Sequence, residues 1–281
     1  MLLIQLTDTH CVGYGRQAMG RCETNTLTER ALRAVRAFTP RPDAVLITGD
    51  LTDNGRPDEY ALVAAMLART IDTPVYVIPG NHDRRCNFRA GLAHLPGVTD
   101  HPHFIQYTVE NLPVRLIMLD TVVPGAGHGE LCAHRLAWLD TKLAEQPHRP
   151  TLIAMHHPPF LIGIGHNDRI NLHGADAFIA LIARHKHVIR ILCGHHHRPV
   201  TVPVAHAIGS ICPGVAHQVE LDLANTTPGF WNLEPPAFQA HLWMNQPDGT
   251  QALVSHTAYV EPFPGPFPFL SDPEDASKAI D

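Results

Sequence analysis

Five short apolar runs mark the first two-thirds of the chain, and each ends on a polar cluster. LLIQL leads to Asp8-x-His10, DAVLIT to Gly49-Asp50, and VYVI to Gly80-Asn81-His82-Asp83; PTLIAM leads to His156-His157, and VIRILC to Gly194-His195-His196-His197. Apolar runs without alternation are what parallel strands covered on both faces look like. Between them, TLTERALRAVRAF (26–38), DEYALVAAMLARTI (58–71), LCAHRLAWLDTKLAE (131–145) and ADAFIALIARHK (175–186) predict helices. FIQYTVENLPVRLIMLD predicts an antiparallel pair turning at Asn111 to Pro113, whereas residues 84–103 carry no clear pattern. Strands alternating with helices predict an α/β fold with its ligands at the carboxyl edges of the strands.

From residue 200 the pattern changes to strand-like pieces (VTVPVAHAI, AHQVELDL, FQAHLWMN, TQALVSHTAYV) cut by Pro, Gly and Asn turns. The expected division is a catalytic core over 1–199 and a β-rich cap or oligomerisation region over 200–262, which has the option of completing the core sheet. A Pro-rich, then acidic tail follows over 263–281.

Composition narrows the setting. No apolar run among the 281 residues is long enough to span a bilayer, and Met1 leads straight into a strand without a signal-peptide pattern, so a cytoplasmic enzyme is expected. Six scattered cysteines without a CxxC pair read as reduced thiols. A net charge of −6 offers no field for a nucleic-acid polymer. Histidine stands out: 21 residues, as many as Lys and Arg together.

The strand-end residues combine carboxylate oxygens with imidazole nitrogens, a mixture suited to Zn, Fe or Mn rather than Ca or Mg. Asp8, His10, Asp50, Asn81, His156, His195 and His197 exceed what one ion needs, and Asp50 is the central carboxylate. The expected assignment is Asp8, His10, Asp50 and His197 to one ion, and Asp50, Asn81, His156 and His195 to the other. Two divalent ions sharing a carboxylate can hold a hydroxide and clamp the oxygens of an in-line displacement at phosphorus.

In order and spacing these blocks resemble those of the calcineurin-like metallophosphoesterases, and within them the bacterial class III cyclic nucleotide phosphodiesterase and glycerophosphodiesterase branch; MHHPP, CGHHHRP and PGVAHQVELDL carry that flavour. The resemblance implies a four-layer α/β/β/α sandwich and two divalent ions drawn from Fe, Mn, Zn and Co. It implies a phosphodiesterase acting on small diesters such as glycerophosphodiesters, 3′,5′-cyclic nucleotides and aryl diesters, by attack of hydroxide held by the metals. His82 then contacts the phosphoryl group or protonates the leaving alkoxide, with Asp83 orienting it, and His217 is a second substrate-binding candidate. His157 and His196 are expected to support the site rather than bind metal. The alternatives are a phosphomonoesterase or nuclease of the same superfamily, or a non-catalytic metal-binding module. Exposed apolar positions after residue 200, with Trp231 and Trp243, add the expectation of a homodimer or an assembly of dimers.

Overall fold

The structure, a computed structural model, describes residues 1–224 and 228–268. In chain order its elements are β1 (Leu2–Leu6), α1 (Thr24–Arg36), β2 (Ala44–Thr48), α2 (Pro57–Thr70), β3 (Val75–Ile78), α3 (Arg85–Leu92), β4 (Tyr107–Val109) and β5 (Arg115–Leu119). Next come β6 (Gly129–Glu130), α4 (Ala133–Glu145), β7 (Thr151–Met155), α5 (Gly165–Asp168), β8 (Leu172–His173), α6 (Ala175–Arg184) and β9 (Val188–Cys193). The chain closes with β10 (Val200–Val204), β11 (Ala207–Ile211), β12 (Gln218–Val219), β13 (Trp231–Asn232), β14 (Ala237–Asn245) and β15 (Gln251–Tyr259).

Two sheets form the body, ordered β15-β14-β1-β2-β3 and β10-β11-β9-β7-β5-β4. The strands that carry the sequence motifs run parallel within each sheet: β1, β2 and β3 in the first, and β5, β7 and β9 in the second. Their carboxyl ends therefore share an edge. Alternation along β5 explains the layering. Leu116 and Met118 join the core that includes β1, β2 and β3, while Ile117 and Leu119 join a second core with Leu139 and Leu143 of α4 and Phe178 and Ile182 of α6. Helices α1 and α2 cover the outer face of the first sheet through Leu32, Val35, Val63 and Leu67. The arrangement is an α/β sandwich with helices outside two packed sheets.

The segment after residue 200 is not a separate cap. The hairpin β10–β11 extends the second sheet, with β11 parallel to β9, and β14–β15 extends the first, with β14 antiparallel to β1. Apolar alternation identified these strands but not their neighbours, because pairing is decided by long-range register. VTVPVAHAI, expected as one strand, turns back at Ala205 (φ 53°). AHQVELDL shortens to β12, a two-residue strand on the ribbon β12–β13. Helix α3 falls where no pattern was legible, since it buries only Phe88 and Leu92. Of the 263–281 tail, everything beyond residue 268 lies outside the described residues. No helix among the described residues is long and apolar enough to cross a membrane.

Candidate metal centre

The strand ends become a basin because the backbone turns abruptly there. Asp8, His10, Asp50, His195 and His197 all have positive φ, from 42° to 74°. Non-glycine residues adopt this left-handed conformation only where their surroundings enforce it, and such residues cluster at functional sites. Here the loops hold one another: Asp8 N–H donates to Gly49 O at 3.1 Å, His10 N–H to Asp50 O at 2.9 Å, and Gly194 N–H to His156 O at 3.1 Å. Gly80 permits a close approach of the loops. A Cβ on it would collide with the Asp50 carboxylate and the His156 ring.

Asp50 sits at the middle. Its Oδ2 lies 3.6 Å from His10 Nε2 and 3.3 Å from His156 Nε2, while Oδ1 accepts the His82 N–H at 2.9 Å. On one side, Asp8 Oδ1 is 3.2 Å from His197 Nε2, which is 3.3 Å from His10 Nε2. On the other, His156 Nε2 is 3.1 Å from Asn81 Oδ1, and the His156 and His195 rings are 5.0 Å apart. Asp8, His10, Asp50, His156, His195 and His197 are all buried.

The far nitrogen of each ring identifies the tautomer. His156 Nδ1 is held by Thr48 O (2.8 Å), His197 Nδ1 by His217 O (2.8 Å) and His10 Nδ1 by Asp53 Oδ1 (3.1 Å). A proton on Nδ1 leaves an Nε2 lone pair facing the basin, the usual way acceptors orient metal-binding imidazoles. His195 is reversed: its Nε2 meets Ile170 O at 2.9 Å, so Nδ1 is the free nitrogen. The donor set could hold divalent metal: Asp8, His10 and His197 gather on one side of Asp50, and Asn81, His156 and His195 on the other.

Electrostatics in the ion-free chain follow from this crowding. Burial works to raise the Asp8 carboxyl, but the charge and hydrogen bond of His197 outweigh it and bring the pKa down to about 2. Burial works to lower His156, yet the Asp50 carboxylate, by charge and hydrogen bond, lifts it to about 9. Burial and neighbouring histidines depress His195, keeping it neutral.

His82 is half-exposed beside the ligands, its ring 4.6 Å from that of His10. The expectation that Asp83 orients it is corrected. His82 Nδ1 donates to the Asp53 carbonyl at 2.8 Å, whereas Asp83 is buried beneath the turn. There Asp83 accepts from the N–H groups of Leu51, Thr52 and Gly80 and from the hydroxyls of Thr52 and Tyr60. It fastens the Asp50 loop to the Asn81 turn. His217 reaches the basin from the far end of the chain. Its ring is 4.4 Å from His197 and 5.0 Å from His10, stands edge-on to Trp231, and has a buried Nδ1 without a hydrogen-bond partner. His157 is pinned to the Thr121 hydroxyl, and His196 lies between Asn167 and Asn171.

Asp53 was missed as a site residue in the sequence, although it follows Asp50 by one helical-turn spacing in the same block; its side chain and carbonyl serve His10 and His82 respectively. Met19, His166 and Asn167 of α5, Phe230 and Trp231 of β13 also line the basin, a cavity of about 230 Å³, and no sequence pattern marks them. A cleft of about 590 Å³ adjoins it at Asn81 and His82, walled by Arg84, Arg85 and residues 124–127.

A calcineurin-like phosphoesterase family model matches residues 1–199. The chain is 34% identical over 273 residues to a probable glycerophosphodiester phosphodiesterase GpdQ of Arcobacter nitrofigilis, covering 97% of this chain and 98% of that protein. It is 31% identical over 196 residues to the 3′,5′-cyclic adenosine monophosphate phosphodiesterase CpdA of Escherichia coli, covering 70% of this chain and 69% of that one. Its fold resembles a dimetal phosphatase of Danio rerio (TM-score 0.63, 16% identity, 86% of this chain and 92% of that chain). With the family model spanning every strand-end ligand, the chain belongs to the calcineurin-like phosphoesterases.

Proposed function

We propose that the protein is a binuclear metal-dependent phosphodiesterase acting on small diesters. The observation that carries this reading is the lining of the basin: among the described residues it includes His, Asp, Asn and apolar side chains but no Lys or Arg. A diester phosphate has one negative charge, which two cations and neutral imidazoles can balance. A monoester has a further charge that calls for additional cationic side chains. Arg85, in the adjoining cleft, is committed to buried Asp120 and the Val122 carbonyl. Similarity to proteins named as glycerophosphodiester and cyclic nucleotide phosphodiesterases supports the same class.

Divalent ions held by Asp8, His10, Asp50, Asn81, His156, His195 and His197 would supply positive charge for the phosphoryl oxygens and a Lewis acid to activate water. The chain does the rest. Asn81 and the four imidazoles set where the phosphate sits. His82 is held at Nδ1 by the Asp53 carbonyl, so its Nε2 is available to give a proton to the departing alkoxide. Burial lowers its pKa, but Asp50 and the Asp53 carbonyl outweigh this and raise it above the ordinary value, which favours the acid form. His217 and Trp231 wall the opposite side. The adjoining cleft leaves room for an alcohol arm beyond His82.

The test is hydrolysis of bis(p-nitrophenyl) phosphate against p-nitrophenyl phosphate by protein reconstituted with Mn²⁺ or Co²⁺. Preference for the diester supports the reading; preference for the monoester, or full turnover after verified metal removal, overturns it. A homodimer remains part of the proposal, supported by Leu221, Leu223, Phe230 and Leu233, each more than half exposed. A sedimentation run showing only monomer removes that part.

A further inference from the structure

Between the two sheets, directly beneath the basin, the apolar layer is interrupted by a chain of polar groups. Gln5 is fully buried on β1, three residues before Asp8. Its Nε2 donates to Thr48 Oγ1 at 2.9 Å and to the Cys193 carbonyl at 3.0 Å. With both amide hydrogens placed, Oε1 is left as the acceptor. His241 on β14 therefore donates from Nε2 at 3.0 Å and takes the Ser255 hydroxyl at Nδ1 at 2.7 Å. Every polar atom of the chain from Ser255 to Cys193 has a partner, and the Cys193 carbonyl, which can only accept, sets the donor direction along it.

The positions touched matter. Thr48 is two residues before Asp50, and its carbonyl holds His156 Nδ1. Cys193 is two residues before His195. One amide thus joins the three strands β1, β2 and β9, which carry ligands on both sides of the basin, and it does so across the gap between the sheets. Apolar contacts alone do not select one sliding position of two sheets. A directional bond in a low-dielectric layer does, because any other position strands a buried polar group.

We propose that Gln5 is a positioning residue for the metal basin: bridging Thr48 and Cys193, it sets the spacing of the two sheets at which Asp8, Asp50 and His195 close on the same pair of cations. His241 and Ser255 hold its amide in the required orientation. The proposal rests on the reading that the basin binds two cations.

The experiment measures Mn²⁺ binding to chelator-stripped protein by titration calorimetry, so it does not depend on turnover. Gln5→Met keeps volume and removes every hydrogen bond of the amide. Gln239→Met is the control: Gln239 pairs with Gln5 across β1 and β14, is also buried, and its amide also crosses between the sheets, to the Ile211 carbonyl on β11, but that amide reaches no strand that carries a ligand. The expected result is a Mn²⁺ affinity about tenfold weaker in Gln5→Met, within the range for outer supports of metal ligands, and unchanged in Gln239→Met, even if both lose similar thermal stability. Wild-type affinity in Gln5→Met, or an equal loss in Gln239→Met, overturns the proposal by reducing Gln5 to ordinary core packing. Should Gln5→Met not fold, Ser255→Ala at the partly exposed end of the chain takes its place against the same control, with a smaller loss expected and the same two outcomes decisive. Wild-type protein that binds no Mn²⁺ overturns the metal reading itself, a result distinct from one in which only the variant is unaffected.

Discussion

His10 Nε2 and His197 Nε2 lie 3.3 Å apart, although 187 positions separate the two residues in the chain. With each Nδ1 committed to an acceptor, both Nε2 atoms face each other and the Asp8 and Asp50 carboxylates. Such a cluster is stable only with positive charge inside it. In the ion-free chain protons serve, held by the raised pKa values of His156 and His197.

The first prediction concerns that charge. Stripped protein should be less stable, and Mn²⁺ at a hundred times its dissociation constant should restore about 2.7 kcal/mol for each site that does not bind the unfolded chain. Differential scanning calorimetry with and without the ion checks it; an unchanged melting temperature contradicts the site.

Asn81→Ala should separate the two ions. Asn81 reaches only the His156 side, so elemental analysis after dialysis should show one ion retained and one lost. Retention of both would show that Asn81 is not a ligand.

Removal of His82 should leave both ions in place, because its Nδ1 is committed to the Asp53 carbonyl and the other donors suffice to hold the ions. We expect kcat to fall by about a hundredfold in His82→Ala, the scale of a lost general acid, with KM little changed. The wild-type rate should fall as pH rises and His82 loses its proton, and the variant should lack that limb. A pure KM effect would assign His82 to binding alone.

Asp83→Asn tests whether Asp83 fastens the Asp50 loop to the Asn81 turn. An amide cannot accept from all five donors that surround this carboxylate. Each buried donor left unpaired costs about 1–3 kcal/mol. The variant should unfold at clearly lower urea concentration, with whatever metal it holds measured separately. Wild-type stability would mean the loop does not depend on this knot.

His241 gives a prediction in pH. Burial, aided by Arg190, holds its folded pKa down to about 3, from an ordinary value of 6.5. Below pH 6.5 the unfolded chain takes up a proton that the folded chain refuses, so stability falls as pH drops through this window, by up to about 1.4 kcal/mol per pH unit from this group. His241→Gln keeps a donor near Gln5 and should flatten the acid limb by that slope. Urea midpoints from pH 4 to 7 on metal-free protein check it; parallel limbs in the two proteins would exclude His241 as a contributor.

Much of this was legible in the chain itself. Uninterrupted apolar runs marked β1, β2, β3, β7 and β9, and the residues at their ends are the ones the fold gathers, because a strand's end is set by local sequence. Helix α3 was not legible, since two apolar residues, Phe88 and Leu92, make too narrow a stripe to register. The neighbours of β10, β11, β14 and β15 were not legible either, because pairing is a property of register across the sheet.

What the sequence determined by itself was the inventory of donors and their attachment to strand ends, through side-chain chemistry and local periodicity. Tertiary structure alone decided which nitrogen of each histidine faces inward, that Asp53 rather than Asp83 holds His82, and that Gln5 ties the sheets together. Those outcomes depend on carbonyls and hydroxyls brought from distant segments, and backbone acceptors leave no trace in residue identity.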